Sequence, residues 1–383
     1  MPSYSDIINK VKKEWKAENM MEGYKANTVA KIPMSAPLMN YALYGGIPRG
    51  RITEFFGLPG AGKSSSAVDI CKNAAIIFAD DFEKEKNDLR AKIANGNKSA
   101  QLELQTIEER GPRKVLYIDI EHGFDREWAE KLGITESAVD VMQPPNIEAE
   151  AILQMVQDIV ETGDVGLIVL DSIATLVPRA ELEKKFGERT VAALAGLLTI
   201  FFRKIVPLLD RYDCTLLTIN QERINFENPY DHPVPGGIAA QYYASLRVMF
   251  RLGQPLDMFG NELPKSTEDP AGYIVQAKIM KQKTAPFNRK AASYTLMCDR
   301  GIMPMYDYVK LAMTKYNIII KSGAWMTLVD PSTGEVLTNE ANQPVKINGL
   351  AKVYSYVEAN PDYYKKIVEY INADLLGAKE TTD

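Results

Sequence analysis

Mostly apolar runs of five or six residues recur at 52–56, 115–120, 166–171 and 215–220, each bounded by polar or turn-forming residues. Runs of that length without polar alternation predict strands covered on both faces, as in a parallel sheet. Between them the apolar positions fall at helical spacing. Ile152, Val156, Ile159 and Val160 mark a helix over 149–161, and Phe201, Phe202, Ile205 and Leu208 mark a longer one over 190–210. Shorter helices are predicted at 65–75 and 126–132. Strands alternating with helices predict an α/β fold, a mainly parallel twisted sheet with helices on both faces. Ahead of it, residues 3–25 place Ile7, Ile8, Val11 and Trp15 on one face of an amphipathic helix and lysines on the other. Such a helix has too little apolar area to fold alone and must pack on something else, another subunit being one option.

Two stretches break the pattern. Residues 80–113 carry seven basic and eight acidic residues with little apolar content, which reads as a solvated helical insertion. After residue 303 the texture becomes tyrosine-rich and mixed, with a turn at 330–334, so a small α+β C-terminal domain is expected over 303–383. Composition adds bounds. The 46% hydrophobic and 25% charged content of the 383 residues suits one large domain with smaller pieces. No apolar run approaches the ~18 residues of a membrane span and the N-terminus lacks a signal-peptide core, so a cytoplasmic protein without membrane contact is expected. Cys71, Cys214 and Cys298 lie far apart and predict buried free thiols rather than a metal site, and two histidines leave little room for imidazole chemistry. A net charge of −5 gives no global sign of nucleic-acid binding, so any such surface must be local.

The candidate chemistry begins directly after the first strand. Gly57, Leu58, Pro59, Gly60, Ala61, Gly62, Lys63 and Ser64 form a complete phosphate-binding loop, followed by Ser65 at the head of a helix. There, backbone N–H groups and the helix N-terminus make an anion cradle, glycines let the chain curl round a phosphate, Lys63 reaches the β/γ-phosphates and Ser64 can ligate Mg²⁺. A nucleoside triphosphate is the expected ligand. Asp171 ends an apolar strand downstream, the setting of a second Mg²⁺ ligand. Glu121 lies at the carboxyl end of the 115–120 strand, where open α/β sheets place their crevice. It can activate the water that attacks the γ-phosphate, or be only an exposed strand-end residue; His122 beside it reads as structural. Gln221, ending the 215–220 strand, can sense the γ-phosphate and pass that state into the loop 222–235, which closes on Gly236 and Gly237 and is too long for a simple connector. Residues 278–290 hold five basic residues and no acid. They are either a solvated basic face or cations that reach a neighbour's triphosphate or a DNA backbone.

Several of these segments together resemble one family, the bacterial RecA recombinases and their phage counterparts. They are Gly-Ile-Pro-Arg-Gly-Arg-Ile-Thr-Glu (46–54), the phosphate loop, Tyr-Ile-Asp-Ile-Glu-His-Gly-Phe-Asp (117–125) and Val-Leu-Asp-Ser-Ile-Ala-Thr-Leu-Val-Pro-Arg-Ala-Glu (169–181). Ile-Asn-Gln-Glu-Arg (219–223), Lys-Gln-Lys-Thr-Ala-Pro-Phe (281–287) and Gly-Ala-Trp (323–325) follow in matching order and spacing. The resemblance implies an ATP- and Mg²⁺-dependent recombinase that polymerises on single-stranded DNA, pairs it with a homologous duplex and exchanges strands. Loader or single-strand-binding proteins are further expected partners, and the cytoplasm of a bacterium, or of a phage's host, the expected location.

By the resemblance Glu121 is the catalytic carboxylate, acting with Lys63 and Gln221. Asp125 contacts adenine, and Trp128 stacks on it where the family usually has tyrosine. Lys281 and Lys283 reach across the subunit interface to the γ-phosphate. The DNA loops correspond to about 183–195 and 222–235, with Arg203 and Arg223 on phosphates, Phe226 wedged between bases, and Gly236 and Gly237 at the second loop's end. Residues 1–30 correspond to the subunit-linking arm, 31–302 to the ATPase core and 303–383 to the C-terminal domain. Gly196 in place of an arginine, Gln241 in place of a lysine, the 80–113 insertion and the weakly charged tail 377–383 depart from the pattern. A hexameric helicase on the same core is disfavoured because such enzymes use an interface arginine finger, whereas here the lysine pair precedes Ala285-Pro286. A non-catalytic ATP-binding mediator is disfavoured by Glu121 beside an intact phosphate loop.

Overall fold

The computed structural model describes residues 6, 10, 13, 29–135, 138–145, 148–185, 193–223 and 234–377. The chain divides into two units, Met1–Ala30 and Lys31–Asp383. Nearly all of the amphipathic stretch 3–25 lies outside the described residues, and the fold below is that of the second unit.

Two short strands, β1 (Lys31–Ile32) and β2 (Ile47–Pro48), pair antiparallel ahead of the main sheet. Among the described residues that sheet has nine strands: β3 (Ile52–Gly57), β4 (Lys114–Asp119), β5 (Asp140–Met142), β6 (Val165–Asp171), β7 (Thr215–Gln221), β8 (Leu246–Leu256), β9 (Gly272–Gln282), β10 (Ala291–Met297) and β11 (Gly301–Ile302). Their order is β11-β10-β9-β8-β3-β7-β6-β4-β5. Strands β5 through β8 run parallel, and β9, β10 and β11 extend the sheet antiparallel. The fold is therefore α/β with a mainly parallel sheet, as the apolar runs predict.

Why those runs lack polar alternation is clear in β6. Leu167 and Val169 enter the core on one face, while Ile168 and Leu170 enter the core on the other. Successive strand residues point to opposite faces, so two cores require apolar residues at every position. The helices Ala149–Thr162 and Ala193–Arg211 supply the second core through Val156, Val160, Phe202 and Ile205. Burial of each such side chain contributes about 1.5–3 kcal/mol.

The phosphate-loop helix does not stop near residue 75. It runs unbroken as Lys63–Ala94, about 48 Å at 1.5 Å per residue. The charged stretch still carries Phe82, Leu89 and Ile93 at helical spacing, and that narrow stripe seats the returning helix Ser99–Arg110 through Ala100, Leu104 and Ile107. Arg90–Glu108 and Arg110–Glu85, each 3.2 Å, fix the antiparallel pairing.

A third core lies within 303–377, enclosed by the helices Pro304–Thr314, Leu350–Ala359 and Pro361–Leu375. Against them packs a sheet of β12 (Ile319–Ser322), β13 (Trp325–Leu328) and β14 (Lys346–Asn348). One expectation fails here. Cys71 and Cys214 are buried, but Cys298 is exposed, because it lies in the turn after β10, outside the cores.

Candidate functional site

Sheet register brings the predicted residues together. In the order β4-β6-β7-β3, Asp119 pairs with Asp171 and Gln221 with Gly57, so the carboxyl ends of four neighbouring strands form one rim. The loop leaving β3 crosses that rim. At Gly57 a Cβ would sit 2.4 Å from the Phe250 carbonyl oxygen, so only glycine lets β3 lie this close to β8 here. Gly62, at φ +87°, turns the chain into the helix, and Lys63 opens it.

Lys63 folds back over the loop and donates to the carbonyls of Gly57 (3.2 Å) and Leu58 (2.8 Å). Its pKa is lowered chiefly by burial, with Asp171 and Glu121 pulling the other way. A buried ammonium held only by two backbone carbonyls can exchange them for phosphate oxygens. Asp171 accepts a hydrogen bond from the Tyr117 hydroxyl, and Ser64 lines the same cleft. Burial raises its pKa, the Tyr117 and Ser64 hydroxyls oppose the rise, and Glu121 and Asp119 add to it. A carboxylate crowded by others, with a serine hydroxyl in the same cleft, is a donor set suited to a hard divalent cation. Mg²⁺ takes few protein ligands and fills its shell with phosphate and water. Among the described residues no group of three or more His, Cys, Asp or Glu forms a metal cage.

Glu121 stands two residues beyond β4. Its Oε1 accepts from Gln221 Nε2 at 2.7 Å and from the Ser172 hydroxyl. Asp119 accepts from Phe124 N at 2.8 Å and Gln143 Nε2 at 2.9 Å, which shapes the turn that presents Glu121. Asp125 then caps the helix Arg126–Lys131, accepting from Trp128 N at 2.6 Å. A cleft of about 240 Å³ is lined by Ser64, Ser65, Glu121, Asp125, Trp128 and Asp171 with their neighbours. A larger cavity of about 420 Å³ lies beyond Phe124 and includes none of the phosphate loop, so size alone does not mark the site.

The family described as RecA N-terminal domain matches residues 94–303. The protein named RecA of Porphyromonas gingivalis is 30% identical over 318 residues, covering 81% of this chain and 79% of its own. That of Thermus aquaticus is 29% identical over 357 residues (91% and 88%), and that of Thermus thermophilus 31% over 308 (79% and 77%). The chain belongs to the RecA family. It is a RecA-type recombinase and DNA-dependent ATPase that binds nucleotide and DNA and forms filaments. No helix among the described residues is long and apolar enough to cross a membrane.

The RecA-like lysine pair is not in this cleft. Lys281 pairs with Arg247 on β8, and Arg247 with Glu54 on β3. That places it two strands away and three residues back from Gly57, roughly 10 Å along the sheet and roughly 10 Å across it. Lys281 donates to the backbone carbonyls of Gln241 and Tyr242, and Lys283 to that of Tyr242 at 3.2 Å, so both cap the helix Ala239–Tyr243. Burial, then the neighbouring Lys283 and Arg247, push the Lys281 ammonium down to about 8.

Of the DNA-side residues, Arg203 is exposed on the helix Ala193–Arg211 and Arg223 is exposed just past β7. Residues 186–192 and 224–233, which include Phe226, lie outside the described residues. Gly236 (φ +82°) and Gly237 (φ +69°) pack on that same helix; a Cβ on Gly236 would lie 2.4 Å from Leu198 Cδ1, and one on Gly237 2.9 Å from Ala195 Cβ. Gly196 faces open space.

Sequence reasoning missed Tyr117, Ser172 and Glu222. Tyr117 reads as one more strand aromatic. Ser172 has a signal in its place directly after Asp171. Glu222 bonds its N–H to the Gly57 carbonyl (3.0 Å) and pairs with Arg251 at 2.5 Å, tying the start of the 222–235 loop to the phosphate loop.

Proposed function

We propose that the rim cleft hydrolyses ATP with Mg²⁺ and that this reaction governs filament binding to single-stranded DNA, homologous pairing and strand exchange. The carrying observation is one rim that brings Ser64 and Asp171 into the same cleft and bonds Gln221 to Glu121. Ser64 and Asp171 would hold the metal, which supplies charge neutralisation at the phosphates. Lys63 binds the β/γ-phosphates, and Asp125 and Trp128 border the adenine. Gln221 exchanges its bond to Glu121 for one to a γ-phosphate oxygen. That exchange releases Glu121 to take the proton of the attacking water and reports the nucleotide state into the 222–235 loop. Lys281 and Lys283 act in trans, on the triphosphate of a neighbouring copy.

Arg203, Arg223, Phe226, Gly236 and Gly237 belong to the DNA face, which grips backbone and stacked bases while base pairing supplies sequence specificity. Hydrolysis releases DNA rather than driving the pairing. Residues 1–30 act as the subunit-linking arm, 31–302 as the core and 303–383 as the C-terminal domain, in the cytoplasm, with loader or single-strand-binding proteins as partners. Two substitutions test the site. Lys63→Ala should abolish both nucleotide affinity and turnover, whereas Glu121→Gln should keep ATP and DNA binding and lose turnover. Hydrolysis by Glu121→Gln at the parental rate would remove Glu121 from its role.

A further inference from the structure

The turn that carries the lysine pair is braced in an unusual way. Residues 283–290 connect β9 to β10 and contain no acid. Lys281, Lys283, Arg289 and Lys290 thus crowd one end of two paired strands, where mutual repulsion works against a fixed geometry. A carboxylate would be the ordinary brace, but it would also pair with the lysines and cancel the positive potential they offer. Instead the Arg289 guanidinium lies between two tyrosine rings, 3.9 Å from the Tyr41 centroid and 4.0 Å from that of Tyr44. It also donates from Nη1 to the Tyr41 carbonyl at 2.8 Å, and among the described residues it has no carboxylate partner. Aromatic faces attract a cation without neutralising it.

The rest of the clamp points the same way. Tyr44 stands at φ +53°, a left-handed conformation that L side chains rarely adopt, and its hydroxyl donates to the Asn288 side chain. Tyr41 rests on the core of 303–377, so the base of the clamp is rigid. Lys31 Nζ donates to Thr284 Oγ1 at 2.8 Å, and the Ile279 N–H to the Lys290 carbonyl at 2.9 Å, fixing both ends of the turn.

We infer that Arg289, held between Tyr41 and Tyr44, is a positioning residue that presents Lys281 and Lys283 to the triphosphate of a neighbouring copy while leaving their charge unquenched. The inference rests on the trans role proposed above for the two lysines. Displacement of a catalytic group by about 1 Å can cost on the order of 10²-fold in rate. Arg289→Gln should therefore lower kcat for DNA-stimulated ATP hydrolysis by roughly 10–100-fold, with ATP affinity of the isolated subunit unchanged. Tyr44→Leu should behave alike, whereas Tyr44→Phe, which keeps the ring face, should retain turnover.

Mixed filaments separate positioning from a general defect. A Glu121→Gln partner has intact lysines and should recover most of the lost turnover at Arg289→Gln sites; a Lys281→Ala partner should recover none. Parental turnover by Arg289→Gln, or a loss that Glu121→Gln subunits do not repair, overturns the inference. Lys281→Ala and Lys283→Ala run alongside. If they turn over normally, the trans reading fails and this inference with it. If they lose turnover while Arg289→Gln does not, only the role of Arg289 fails.

Discussion

Raising the pH should switch off the trans cation proposed at Lys281 before it harms the fold. Lys281 is held down to about 8 by burial and by the nearby Lys283 and Arg247, with Glu54 opposing them. A cation acting on a neighbour's γ-phosphate must be an ammonium, and with that value about nine in ten are charged at pH 7 and about one in ten at pH 9. The profile of kcat/KM reports the free subunit, so kcat/KM for DNA-dependent hydrolysis should fall about tenfold per pH unit above 8. The limb in kcat should lie at higher pH, because a bound triphosphate favours the charged form. Stability moves the opposite way. The folded value lies below the unfolded 10.5, so between about pH 8 and 10.5 the unfolded chain binds more protons at this group, and its contribution to folding rises with pH. The assay is steady-state hydrolysis on single-stranded DNA from pH 6.5 to 10, with Tm followed in the same buffers, for the parent and Lys281→Arg. Arginine stays charged throughout, so that variant should lose the alkaline limb whatever its rate at pH 7. A parental kcat/KM that is flat to pH 9.5, or the same limb in Lys281→Arg, would refute the reasoning.

Asp307 is buried and raised to about 7 by burial, against hydrogen bonds from the Thr295 N–H and hydroxyl. The folded state therefore binds the extra proton between about pH 4 and 7 and loses that stability as pH rises. Asp307→Asn should stabilise the chain by about 1–4 kcal/mol at pH 8 and far less at pH 5; equal shifts in urea midpoint at both pH values would count against this. On the DNA side, Arg223→Ala should make the salt dependence of single-strand binding shallower by about 0.7, one phosphate's worth. Phe226→Ala should cost about 1–3 kcal/mol with an unchanged slope, and a shared change in slope would make the 222–235 loop a generic charged surface.

The parallel half of the sheet is legible because burial on both faces forbids polar residues, as in β6, and because helices of helical period lie between its strands. The antiparallel half hides for the converse reason. On β9, Val275, Ala277 and Ile279 are buried while Gln276 and Lys278 face out, so the run looks polar unless read at period two. Gly253 and Pro255 interrupt β8 in sequence, and register shifts absorb them in the ladder. The long phosphate-loop helix escapes notice because a two-helix hairpin needs only a stripe of Phe82, Leu89 and Ile93, far less apolar area than a central helix.

The same difference separates the two halves of the candidate site. Ser64, Glu121, Asp171 and Gln221 each stand at or just past a strand end or at a helix start, and parallel strands of similar length bring such positions to one rim without further information. Their partners Ser172 and Tyr117 are settled by side-chain direction, which a one-dimensional pattern carries weakly. For Lys281 and Lys283 the sequence leaves two readings open, a solvated basic face or a trans contact. Register on β9 and β8 decides only that they lie away from their own phosphate loop. A turn whose arginine is held by tyrosine faces and no acid has little use on a solvated face, where the carbonyls of Gln241 and Tyr242 would hold Lys281 and Lys283 well enough. It has a use where a polyanion from a second copy must meet both charges at once, which is the arrangement the trans proposal requires.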